Sequence, residues 1–145
     1  MAVSAGGESV TDLVAQALAL HQQGLHVFPA DHPDQSHCIG LHGPATSPCD
    51  GTRGKHPAIK WGTWAVAATE QMIDQAWARR GGVANIAVAC GPSNLVVLDE
   101  DVLGELDRWC ASYGITLPDT YVVTTDRGRH FYFRWDHSTQ RTSIL

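Results

Sequence analysis

The stretch VVLDED, residues 96–101, ends an apolar run in three carboxylates with no basic residue between them. Side chains on a strand alternate faces, so Asp99 and Asp101 are expected on one face and Glu100 on the other. Two carboxylates about 7 Å apart on one face repel each other unless a cation lies between them, and hard divalent ions take oxygen ligands of this kind. The alternative is a strand end whose acids simply face water. A second constellation is Cys38, His42, Cys49 and His56, with gaps of three, six and six residues. Zinc needs four such ligands drawn into a tetrahedron, and His32 or His37 could replace one of them. That spacing matches no standard finger, and the competing reading is a loop with two free thiols and incidental histidines. The third is His130 beside Arg127 and Arg129, a group suited to an anionic ligand, or else a half-buried histidine next to a solvated hairpin tip.

The elements that must position these residues follow from the apolar pattern. ESVTDLVAQALALHQQG has Ser9 as its cap, Val10, Leu13, Val14, Ala17 and Leu18 at helical spacing, and Gly24 at its end. LHVFPA reads as a short strand stopped by Pro29. From Asp31 to Gly54 the chain is polar and aperiodic, a loop or small insertion long enough to need a function or a metal to hold it. TEQMIDQAWARRGG predicts a helix capped by Thr69, with Met72, Ile73, Ala76 and Trp77 inward. NIAVAC and LVVLDED are two strands joined by GPSN and expected to pair as a hairpin. VLGELDRWCASYG predicts a third helix, and YVVTTD and RHFYFRW two further strands. With Arg127 and Gly128 as the loop, Thr125 would face His130, and Phe131, Phe133 and Trp135 would take the core face.

At 145 residues the chain is expected to form a single domain, 1–145, with the zinc-binding insertion at about 31–60. The fold class is α/β (α+β): a mostly antiparallel sheet of strand hairpins flanked by helices. No apolar run approaches the roughly 20 residues of a membrane span. MAVSAGGESV lacks the basic and apolar regions of a signal peptide, and four scattered cysteines do not make a secreted framework, so a cytoplasmic location is expected. Cys90 and Cys110 read as small buried hydrophobes. A net charge of −5 argues against coating nucleic acid by bulk electrostatics, while Arg53, Lys55 and Lys60 and the arginines at 127, 129 and 134 leave room for a local basic channel.

In order along the chain, GLHVFPA, a Cys/His segment closing in GKHP, a tryptophan, ANIAVACGPSNLVVLDED, LPDTYVVTT and GRHFYF resemble the N-terminal primase-polymerase domain of bifunctional replication proteins. That family lies in the archaeo-eukaryotic primase superfamily and occurs on plasmids, phages and integrated elements. The resemblance runs from about Gly24 to Trp135. It implies a DNA replication enzyme that performs template-directed nucleotidyl transfer from (d)NTPs by a two-metal mechanism. On these positions Asp99 and Asp101 would bind Mg2+ or Mn2+, and His130 would contact the phosphates of the incoming nucleotide. Beside what the resemblance implies, the charges of Lys55, Arg127 and Arg129 suit them to nucleotide binding from the other side of the triphosphate. Lys55 to Pro57 would close an element stabilised by structural zinc on Cys38, His42, Cys49 and His56, with His42 standing where a cysteine is more usual. The implied partners are nucleotide triphosphates, a DNA template, and a helicase or other replication domain or protein.

Two departures stand out. The turn before the histidine is TTDRGRH, bulkier than the family's small Gly-rich turn, and the family's third carboxylate is expected on a strand that HSTQRTSIL leaves no room to form. The chain is therefore expected to be truncated at its C-terminus, leaving a sheet edge that invites a homodimer. The competing function is a catalytically inactive, truncated primase-like module that binds nucleotide, nucleic acid or a protein partner. A third is a zinc-stabilised interaction domain without nucleotide chemistry.

Overall fold

The computed structural model describes residues 10–32, 54–125 and 127–135, with the side chains of the first helix from Leu13 onward. The chain divides into two compact units, Met1–Ser93 and Asn94–Leu145. Among the described residues there are four α-helices and two small antiparallel sheets.

In the first unit, α1 (Val10–Gln22) leads into β1 (Val27–Ala30), and α2 (Trp61–Ala67) and α3 (Glu70–Ala78) precede β2 (Asn85–Val88). β1 and β2 pair antiparallel, from Val27 opposite Val88 to Ala30 opposite Asn85. The inward stripe expected of α3 is present: Ile73, Ala76 and Trp77 are buried, and the Thr69 hydroxyl accepts from Met72 N at 3.3 Å as the helix cap. Trp77 is fully buried, and its indole N–H donates to the Ala84 carbonyl at 3.0 Å, so the largest core side chain leaves no polar atom unsatisfied. Ala17, from α1, and Val27 close the same cluster. Ser9, the expected cap of α1, lies outside the described residues.

Two local expectations require correction here, and one helix forms that the apolar pattern did not predict. Pro29 does not stop β1 but sits within it opposite Ile86, because its carbonyl still accepts from Ala58 N at 2.9 Å and only its N–H is missing. WGTWAVA forms α2, a two-turn helix without a side-chain cap; Trp61 stacks on Phe28 at 5.1 Å, so tertiary packing rather than propensity holds it. NIAVAC and LVVLDED do not form a hairpin, since β2 pairs with β1 and β3 (Leu95–Glu100) with a later strand. The polar groups of the connecting turn are engaged elsewhere: Ser93 Oγ accepts from His26 N at 2.9 Å, and Ala89 N donates to the His26 carbonyl at 2.8 Å.

In the second unit, β3 is followed by α4 (Glu105–Tyr113), β4 (Tyr121–Thr124) and β5 (Arg129–Arg134). The sheet order is β3-β5-β4, with both pairings antiparallel. α4 starts three residues later than its apolar pattern predicts. Gly104, with φ +82°, cannot continue a right-handed helix and becomes its N-cap residue instead. The loop between β4 and β5 is 125–128 rather than Arg127 and Gly128 alone. Gly128 N donates to Thr125 Oγ1 at 3.1 Å, and Thr125 N to the Gly128 carbonyl at 2.9 Å. His130 therefore lies opposite Val123, not Thr125. A register change of two positions preserves the face of every side chain, so the expected division of β5 survives. Phe131 is buried and Phe133 half-buried, whereas Trp135 is 40% exposed just past the strand end.

Candidate functional site

β3 and β5 bring two acid–base pairs into consecutive register: Asp99 opposite His130, and Glu100 opposite Arg129. The pairs point to opposite faces of the sheet. On one face Asp99 Oδ1 lies 3.0 Å from His130 Nε2, with side chains 63% and 36% exposed. The two residues singled out from distant stretches of sequence thus meet directly, at an open surface where a ligand can reach both.

The other face carries a buried hub. The Glu100 side chain is 1% exposed. Its Oε1 accepts from the backbone N–H groups of Gly104 and Leu106, each at 3.0 Å, so a strand carboxylate caps α4 where Gly104 has no side chain to do so. Arg129 completes the set: its Nε donates to Oε2 at 2.5 Å and its Nη2 to Oε1 at 2.9 Å, while Nη2 also reaches Asp107 Oδ2 at 2.7 Å. The guanidinium lies 4.9 Å from the Phe131 ring centroid. The Arg129 hydrogen bond holds the Glu100 carboxyl down to about 2; burial opposes this, and the Leu106 and Gly104 N–H groups add to it. The same contacts, Glu100 first and Asp107 second, raise the Arg129 guanidinium further above its usual range.

Gly128 completes this corner. A Cβ there would overlap the Glu100 carbonyl, so the backbone at Gly128 passes directly over the end of β3. Glu100, Gly104 and Gly128 were not recognised from sequence as a unit. A signal was available: Glu and Arg both at inward positions of neighbouring strands require each other in a core.

The remaining site residues fall as follows. Asp101 is exposed and lies one residue beyond the end of β3, so strand alternation does not extend to it. Arg127 is exposed in the loop before β5. Arg129 faces away from His130 and is bonded to two carboxylates. In the first unit Lys55 is exposed, His56 is half-buried with its carbonyl accepting from Asp31 N at 2.9 Å, and Pro57 bridges to Ala30. Cys38, His42 and Cys49, and the substitute His37, lie outside the described residues; His32 is described and half-buried. Cys110 is buried, as expected, while Cys90 is only half-buried.

Asp99 and Asp101 are accessible oxygen donors of the kind Mg2+ and Mn2+ prefer, so the donor chemistry suits such an ion. Among the described residues no group of three His, Cys, Asp or Glu side chains is assembled that could hold a metal ion. None of the described helices is long and apolar enough to cross a membrane.

An antiparallel sheet that presents an acidic strand end and a histidine on one open face defines the class: an α+β domain with a small antiparallel sheet. Comparison with protein families specifies it further. The model of the family described as bifunctional DNA primase/polymerase, N-terminal, matches residues 17–144, and the chain belongs to that family. The family connects the chain to DNA replication and to primase/polymerase activity, and implies nucleotide and DNA binding. No curated protein and no solved structure gives a significant match.

Proposed function

We propose that the second unit carries the nucleotide-handling face of a DNA primase/polymerase domain, and that the reaction is template-directed nucleotidyl transfer from (d)NTPs. The observation that supports this most is the contact of Asp99 with His130 on an exposed sheet face, in a chain of this family. Asp99 and Asp101 would hold Mg2+ or Mn2+, which when bound stabilises charge on the attacking and leaving oxygens of an in-line displacement. The histidine N–H that meets Asp99 can instead donate to a phosphate oxygen, because one imidazole N–H serves either acceptor. Arg127 would offer a planar, bidentate contact to the same phosphates. The Asp99 carboxylate sets the orientation of the His130 ring before the nucleotide arrives.

Zinc on Cys38, His42, Cys49 and His56 is proposed as a separate structural ion. Elemental analysis of chelator-free protein should find about one equivalent, and less than about half would count against these ligands.

The activity is tested by primer extension and de novo synthesis with Mn2+, comparing the chain with an Asp99→Ala, Asp101→Ala variant. Loss of synthesis by at least about a hundredfold is expected, since misplacing reacting groups by an ångström is already worth that much. Equal silence of both proteins, with dNTP still bound, would sink the polymerase reading for this chain and favour the nucleotide-binding module.

A further inference from the structure

The sheet face that bears Asp99 and His130 continues into an aromatic row. His130 and Tyr132 are two residues apart on β5 and share a face, and Tyr121 on β4 lies directly opposite Tyr132. Ring centroids are 6.5 Å apart from His130 to Tyr132 and 5.9 Å from Tyr132 to Tyr121. Val97 and Val123 lie opposite Tyr132 and His130 and give the row apolar flanks. Thr120 Oγ1 donates to the Tyr132 carbonyl, tying the segment before β4 to the strand beneath the rings. Tyr121 is nevertheless 72% exposed. Cross-strand packing alone is a poor account of an aromatic side chain left so open, since its stabilisation scales with the area it covers.

The row runs from a charged end, Asp99 and His130, to an aromatic end, Tyr132 and Tyr121, whose rings are tilted 59° to each other. That polarity matches a nucleotide, whose phosphates and base lie at opposite ends. We propose that the exposed ring of Tyr121, backed by the tilted ring of Tyr132, is the platform on which the base of the bound nucleoside triphosphate stacks; this rests on the reading of His130 as a phosphate contact. Aromatic side chains on open sheets hold bases in this way, and stacking is tolerant of base identity because every base has a π face. Val97 and Val123 carry no hydrogen-bonding group with which to read a base edge. The platform therefore grips all four nucleotides alike and leaves their selection to pairing with a template.

Calorimetric titration with the four dNTPs and with inorganic tripolyphosphate, all in the presence of Mn2+, tests the platform. The intact chain should bind each dNTP about tenfold or more tightly than tripolyphosphate, with little difference among bases. Tyr121→Ala should abolish most of that advantage and leave tripolyphosphate affinity unchanged. Tyr121→Phe, which keeps the ring, should retain the advantage. The platform is overturned if dNTPs and tripolyphosphate bind the intact chain equally, or if Tyr121→Ala weakens both probes alike. His130→Ala separates the two claims: loss of tripolyphosphate binding in that variant upholds the phosphate contact whatever the tyrosines do. An intact chain that binds neither probe contradicts both.

Discussion

Asp99–His130 and Glu100–Arg129 are neighbouring pairs on the same two strands, built from the same kinds of charge, yet one is open to solvent and the other is sealed. The Asp99 and His130 side chains are 63% and 36% exposed, those of Glu100 and Arg129 only 1% and 22%. Exposed ion pairs add little to stability, so the first pair is free to exchange its partner for a ligand. A pair whose carboxylate is buried and accepts from a guanidinium and two backbone N–H groups is destabilising to break, so the second pair holds β3, α4 and β5 together. One residue of strand alternation separates a surface suited to chemistry from a surface suited to support.

The comparison can be broken most forcefully at Asp99. Asp99→Ala should cut synthesis by roughly a hundredfold or more while leaving the melting temperature nearly unchanged, because an exposed carboxylate is removed. Glu100→Ala should do the reverse of this on stability: the melting temperature falls by several degrees, since Arg129 loses its buried partner and two N–H groups at the start of α4 lose their cap. Gly128→Ala should lower it as well, because the loop must lift away from the Glu100 carbonyl to admit a methyl group.

The pH dependence sharpens the same contrast. The Glu100 carboxyl is held down to about 2, below its ordinary value of 4.5, chiefly by the Arg129 hydrogen bond. A depressed folded-state pKa contributes stability that is fully present above the unfolded value and is lost as pH falls through the folded one. Stability of the intact chain should therefore decline between about pH 4.5 and pH 2 in acid titration monitored by circular dichroism, and Glu100→Gln should flatten this part of the curve. The smallest effect is expected at Asp107, whose side chain is 64% exposed; Asp107→Asn should leave synthesis and melting temperature close to those of the parent.

Much of this was legible in the sequence, and the reasons are specific. Strand alternation separated Asp99 from Glu100 before any register was known. The faces survived a loop longer than expected because the register moved by an even number of positions. The Thr69 cap and inward stripe of α3 were readable because both are local. What stayed hidden depended on contacts between distant segments. Arg129 looks like a phosphate ligand when RGRH stands alone, and its role changes only once the inward Glu100 is placed on the neighbouring strand. The GPSN turn looked like a hairpin because its engagement with His26 is set by residues far earlier in the chain. Gly104 looked tolerable within a helix, and only its left-handed φ shows that the helix begins after it.

The division of labour between the two faces is tested most directly by melting curves taken with and without Mn2+ and dNTP for the Asp99→Ala and Glu100→Ala variants. A ligand that binds only the folded state raises its melting temperature, so the ligand-induced shift reports the open face and the unliganded value reports the sealed one. Asp99→Ala should keep the unliganded melting temperature and lose the shift, whereas Glu100→Ala should lower the unliganded value and keep the shift. An Asp99→Ala variant that melts early yet retains a full ligand shift would contradict the account.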